Sequence, residues 1–422
     1  MHSTFRLWAL LVYSLYSVSA MAQQKQLLYE NKSYEPTIQS VQLLPQGNGI
    51  TDRFAPSVKN INDRSSLVLE FDDLTEDADY YFVYFVHCNA DWSPSDLRAG
   101  MYLRGYNEFE ITDFEFSSES KINYVHYRFQ LPNFKTTGNY LAVVYRDRNK
   151  KDLVLSRRFM VHGNTALVGA RVLRSTDVGN RLTHQRVEAT VNYNGVQSND
   201  PRRDFTVVIR QNQRPDQMKV LKPTFLDENS QVLRYQNAGA ENDFAAGNEF
   251  RFFDLSTTNT TGRSVADVYF VDNRPIARLL PDQRRRDGYF QNLDLNGQFF
   301  IRDLEGGDGR ISAEYVRTYF SFKVPESRNG IYLIGAFNDW QKDEASRMTF
   351  NAETSQYELE LLLKQGWYDY MYWSEDPLDE LEWERSFFDT ENLYEVFVYF
   401  RPMGTRGDEL IAYQKVNFNS RR

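Results

Sequence analysis

The feature that most constrains this chain is two-residue alternation recurring from end to end, with almost no helical period beside it. Val125, Tyr127, Phe129 and Leu131 alternate with Tyr124, His126, Arg128 and Gln130. Val316, Thr318, Phe320, Phe322 and Val324 alternate in the same way with Tyr315, Arg317, Tyr319, Ser321 and Lys323. Successive side chains of a strand point to opposite faces, so each run offers one face to a core. Leu67, Leu69 and Phe71 repeat the pattern ahead of a carboxylate-rich turn, whereas Tyr80 to Cys88 is apolar or aromatic on both faces, which suits a strand covered on both sides. Only Asp376-Pro377 signals a helix, an Asp cap followed by a proline at the first helical position. The class is all-β, arranged as tandem β-sandwich domains.

Punctuation divides the chain. His2 and Arg6 precede the apolar run Leu7 to Tyr16, and Ala20-Met21-Ala22 supplies a small-x-small site, so residues 1–22 read as a secretory signal peptide. Residues 23–164 form an expected N-terminal sandwich ending at His162-Gly163-Asn164. Within it Gly138-Asn139-Tyr140 has the look of a tyrosine corner, a buried Tyr hydroxyl tied back to the backbone. A middle sandwich is expected over 165–309, closed by Glu305-Gly306-Gly307-Asp308-Gly309 as a hinge, and a C-terminal domain over 310–422 that folds alone.

Composition narrows the function. Cys88 is the single cysteine, so no intramolecular disulfide forms and core burial must supply the stability. Asp and Glu outnumber Lys and Arg by 58 to 49, a formal net charge of −9, which makes nucleic acid a poor partner. No run after the signal approaches the ~20 apolar residues of a transmembrane helix.

Each candidate chemistry has a plain structural reading. His87 beside Cys88 suggests an activated thiol, yet neighbours on a strand face opposite ways, so Cys88 is read as a buried structural residue. His87, His126, His162 and His184 stand singly without metal-ligand spacing, and no metal or cofactor is expected. Asp72, Asp73, Glu76, Asp77 and Asp79, like Asp303, Glu305 and Asp308, lack the ladder of a calcium loop and read as solvated turns. Trp340, Trp367, Trp373 and Trp383 are suited to stacking on sugars, but strand aromatics usually fill cores. Asp91 and Trp92, in a polar loop after a buried strand, and Trp340 are the residues expected to act as protein contacts or structural anchors.

A set of ordered pieces carries a resemblance. Phe71-Asp72-Asp73-Leu74 and His87-Cys88-Asn89-Ala90-Asp91-Trp92-Ser93-Pro94-Ser95 are followed by Gly105-Tyr106-Asn107-Glu108, Ile111-Thr112-Asp113-Phe114 and His126-Tyr127-Arg128-Phe129. Gly138-Asn139-Tyr140-Leu141, Arg157-Arg158-Phe159-Met160-Val161, Leu295-Asn296-Gly297, Gly335-Ala336-Phe337-Asn338-Asp339-Trp340 and Arg401-Pro402-Met403-Gly404 complete the series. Together they resemble the Bacteroidetes type IX secretion system plug protein family. The stretch Ile331 to Trp340, with Tyr357 to Leu361 and Gly366 to Tyr372, is similar to early-set immunoglobulin-like domains that include glycogen- and starch-binding modules. The resemblance implies a non-enzymatic protein of the periplasm, associated with the outer membrane through a partner, that seals the periplasmic opening of the barrel translocon. An envelope carbohydrate-binding protein using the C-terminal domain is the alternative, and a hydrolase using the Asp72 to Asp79 carboxylates is a third reading.

Overall fold

A computed structural model describes residues 25–420 except 48, 119, 238 and 326–328. The signal segment 1–22 lies outside the described residues. Six sheets pair into three sandwiches, so the all-β expectation holds. In the first sandwich one sheet runs Lys32–Ser33, Leu153–His162, Gly138–Arg146, Tyr81–Cys88, Phe109–Glu110 in spatial order, with Val58–Asn60 parallel to Leu153–His162. Its partner sheet runs Ile38–Pro45, Leu67–Asp73, Val125–Gln130, Asp113–Phe116. Leu69 and Phe71 from one sheet meet Val83, Phe85, Tyr140, Ala142 and Val144 from the other in the core. The Tyr140 hydroxyl donates to the Thr136 carbonyl at 2.7 Å, which makes the expected tyrosine corner.

Sheet pairing departs from the expected order of domains. Phe205–Gln211 pairs with Asn392–Phe400, which pairs with Glu409–Phe418, so the end of the chain completes the second sandwich. The other sheet of that sandwich runs Leu167–Arg174, His184–Asn192, Val232–Tyr235, Phe225–Asp227. Its core joins Val191, Val207 and Ile209 to Val396, Val398 and Ile411. The third sandwich is inserted between these halves. One of its sheets is built on Gly366–Ser374, which pairs with Arg251–Asp254, Phe299–Ile301 and Ile331–Ile334. The opposite sheet runs Val265–Val271, Arg274–Leu279, Tyr315–Lys323, Gln356–Lys364, Thr349–Asn351.

The boundary near Gly309 is therefore corrected. The glycine cluster is an exposed loop between Phe299–Ile301 and Tyr315–Lys323 within the third sandwich, and 310–422 mixes strands of two sandwiches. Entry and exit of the insertion are laced together. Phe387 N–H and Thr390 Oγ1 both donate to the Gly247 carbonyl, at 2.9 and 2.8 Å, and Asn248 Nδ2 donates to the Glu384 carbonyl at 3.0 Å. The helix signalled by Asp376-Pro377 spans Pro377–Glu384, capped where Asp376 Oδ1 accepts from Leu378 N–H at 2.9 Å.

Candidate functional site

The first sandwich is central, and its two outer faces meet its neighbours by opposite chemistry. Along Tyr81–Cys88 the odd residues enter the first core, while Tyr84, Val86 and Cys88 point outward beside Leu141 and Val143. They meet Val208, Phe397, Tyr399 and Leu410 on the outward side of the second sandwich. Both faces of the strand are thus apolar because two cores share it, which accounts for the unbroken run in the sequence. The rim of this seam is polar. Tyr399 OH donates to Asn139 Oδ1 at 2.7 Å, and Asp408 Oδ2 accepts from Ala90 N–H at 2.7 Å. The hairpin carrying Arg401-Pro402-Met403-Gly404 in this way grips the loop after Cys88.

The other seam is ionic. On Leu67–Asp73 the residues out of phase with the core, Glu70 and Asp72, face the third sandwich, and Asp72 stands opposite His126 in the ladder. Asp72 Oδ2 accepts from Lys364 Nζ at 2.6 Å and from Tyr315 OH at 2.7 Å, and its Oδ1 contacts His126 Nδ1 at 2.7 Å. Tyr315 OH also lies 2.8 Å from Ser40 Oγ. Lys364 Nζ lies 4.0 Å from the Tyr124 ring centroid and donates to the Arg310 carbonyl at 2.6 Å. Asp72 is 1 % and Lys364 2 % exposed, so this pair sits away from water, where removing one partner strands a charge. Burial alone would push the Asp72 carboxyl up, but Lys364 and His126 outweigh it and hold the carboxyl below its ordinary range. An Asp–His pair can polarise an imidazole for base catalysis, yet His126 Nε2 is buried and without a partner among the described residues. The arrangement is built to hold two bodies together.

The third joint is the Gly335 to Trp340 motif. Asp339 and Trp340 both adopt left-handed backbone, φ 55° and 61°, which turns the two side chains off the end of Ile331–Ile334. Asp339 Oδ2 pairs with Arg157 of the first sandwich at 3.0 Å. Burial pushes its carboxyl up, against the pull of Arg157. Trp340 packs on Phe250 at 5.7 Å and under the Arg214 guanidinium of the second sandwich at 4.5 Å. Gly297, at φ +81°, leaves the indole its room, since a Cβ there would fall 2.4 Å from it. The Leu295-Asn296-Gly297 signature thus has a steric cause.

The residues singled out in the sequence fall mostly on these joints. Trp92 is buried in the apolar seam, φ 66°, with the Arg158 guanidinium 4.4 Å over its ring. Asp91 is exposed, and its Oδ1 accepts from the Ser93 N–H and hydroxyl to fix the turn before the strand bridge. Cys88 is fully buried, and burial pushes its thiol up to about 12. His87 is likewise buried: Nδ1 lies 2.9 Å from Ser95 Oγ, and Nε2 lies 3.1 Å from the Thr137 carbonyl, to which it donates. Burial lowers its pKa, so the ring is held neutral.

The solvated-turn reading is corrected for Asp72 and Asp73. Both belong to Leu67–Asp73 and are buried, Asp73 accepting from Tyr81 OH at 2.6 Å, whereas Glu76 and Asp77 are exposed. Trp383 is buried, Trp373 lies under Lys342 Nζ at 4.2 Å, and Trp367 stacks on Phe252 at 4.4 Å. Sequence reasoning missed Lys364, Tyr315, Arg157 and Asp408. Lys364 did leave a trace, as the lone charge ending Leu361-Leu362-Leu363. Among the described residues no His, Cys, Asp or Glu group is placed to hold a metal ion, and no helix is long and apolar enough to cross a membrane.

Residues 38–163, which make up almost all of the first sandwich, match the family model of the type 9 secretion system plug protein 1st domain. A crystal structure of a hypothetical protein from Parabacteroides merdae superposes with a TM-score of 0.87 at 28 % identity, covering 93 % of this chain and 100 % of that one. The arrangement of sandwiches is therefore shared over nearly the whole length. No curated protein matches the chain.

Proposed function

Starting from a chain whose first sandwich is a type 9 secretion plug domain, and which is thereby tied to type IX secretion, we propose that it is a non-enzymatic plug. It acts in the periplasm and covers the periplasmic opening of the outer-membrane barrel translocon while no client passes. The observation that carries this reading is the match over residues 38–163. The seams support it: a cover must not deform, and here an apolar core, a buried ion pair and the Asp339–Arg157 contact fix the sandwiches to one another. The carbohydrate reading loses its strongest platform, because Trp340 is enclosed between Phe250 and Arg214.

The test compares uptake of a large antibiotic or dye in strains lacking this protein, lacking the barrel, or lacking both. Loss of the plug alone is expected to make the outer membrane leaky, and loss of the barrel as well to restore the seal. A single deletion as tight as wild type, or a leak that persists without the barrel, overturns the proposal.

A further inference from the structure

Where the three sandwiches meet, they line a partly open cavity of about 120 Å³ that includes Arg53, Arg157 and Arg158 of the first sandwich, Arg210 of the second and Asp339 of the third. A single water needs only ~10–15 Å³, so several waters or one solvated tetrahedral ion fit. Three of these four arginines pair directly with a carboxylate. Arg210 donates to Glu395 at 2.7 Å, Arg53 lies 3.7 Å from Glu70, and Arg157 pairs with Asp339 at 3.0 Å. Arg158 has its ring contact with Trp92 and a bond from Nε to the Tyr29 carbonyl at 2.7 Å; the Glu30 carboxylate acts on it at longer range, and no carboxylate pairs with it directly among the described residues. Burial pulls its pKa down to about 10.

Arg157 adds a second sign. It is 5 % exposed, its Nη1 is engaged by the Ser156 carbonyl and by Asp339, and its Nε is buried without a hydrogen-bond partner. A buried guanidinium with an idle donor is costly unless an acceptor reaches it. Arg presents its donors as a planar fork that matches the spacing of oxygens on a tetrahedral oxyanion.

We propose that this three-way cavity binds a small inorganic oxyanion, phosphate or sulfate, held chiefly by Arg157 and Arg158 with Arg53 and Arg210 around it. The ion bridges the first and second bodies, and the third is tied to it through the Arg157–Asp339 pair. The inference rests on this geometry and not on the plug reading, so either can fail without the other.

The mature chain is titrated calorimetrically with inorganic phosphate, sulfate, chloride and glycerol phosphate at constant ionic strength, and its melting temperature is followed in parallel. Phosphate and sulfate are expected to bind saturably and raise the melting temperature, chloride to do neither. Because the cavity is walled by the three sandwiches, glycerol phosphate, which stands for a lipid headgroup, is expected to bind about tenfold more weakly than the free ion. Arg158→Lys keeps the charge but loses the fork and is expected to weaken phosphate by about tenfold. Arg158 also supports Trp92, so Arg53→Gln, at the edge of the cavity, serves as the second variant. It should melt like wild type in chloride and gain less from phosphate. Absence of saturable phosphate binding, equal binding of glycerol phosphate, or unchanged phosphate affinity in both variants overturns the proposal.

Discussion

At the scale of single residues, burial decides what each polar group can do. Cys88 and His87 are neighbours in sequence but face different environments, and the thiol, pushed up by its apolar surroundings, stays protonated at neutral pH. Cys88→Ser is expected to lose about 1–3 kcal/mol by desolvating a hydroxyl, read from denaturant midpoints. The native thiol is expected to react with a bulky maleimide only as fast as the protein opens. Asp72 carries the larger stake. Asp72→Asn leaves Lys364 buried without its carboxylate and is expected to cost about 3–5 kcal/mol, while pairing it with Lys364→Met should recover most of that loss. The folded Asp72 carboxyl is depressed, so its contribution is complete above the unfolded value near ~3.9 and is lost as pH falls through the folded value. The gap between wild type and Asp72→Asn should therefore narrow as pH falls below about 4, as urea titrations at pH 7 and pH 3 would record. The sequence made the strand holding Asp72 plain but not the fate of its side chain. A carboxylate after Phe71 looks the same whether its cation lies in solvent or, like Lys364, nearly three hundred residues away.

At the scale of elements, what was legible was local. Alternation in Val125–Gln130 and Tyr315–Lys323, the tyrosine corner at Tyr140 and the capped helix at Pro377 depend on contacts within a few residues, and all are present. The Gly335 to Trp340 motif was legible as a unit of fold, but its three-dimensional setting was not, since Phe250, Arg214 and Arg157 come from other segments. Trp340→Ala is expected to lower stability by about 3–5 kcal/mol in thermal melts and to leave retention on starch or glycogen unchanged. Gly138 makes a complementary point. It sits at φ +144°, where a Cβ would fall 2.2 Å from His87 Nε2, so Gly138→Ala should destabilise the first sandwich through both backbone and clash. A melt as high as wild type would contradict that account.

At the scale of the whole molecule, the pairing of Phe205–Gln211 with Asn392–Phe400 could not be read from the chain, because both strands are apolar enough to pair with many others and a complete sandwich stands between them. The division at Gly309 followed the local glycine signal and cut through that insertion. A fragment spanning 310–422 is accordingly expected to stay unfolded by circular dichroism, since it lacks Arg251–Asp254 and Phe299–Ile301 of one sandwich and Phe205–Gln211 of the other. A cooperative melt from that fragment would refute the nested arrangement. The nesting also imposes a timetable. During synthesis the first sandwich emerges complete, and the third can close behind it, but the second must wait, half-made, for Asn392–Phe400 and Glu409–Phe418. Until then the outward row of Tyr84, Val86 and Leu141 has only part of its cover. Completion of the chain, more than the folding of any one part, is the event that turns it into a single body, and a premature stop in its last segment leaves the shared seam open however well the earlier sandwiches have formed.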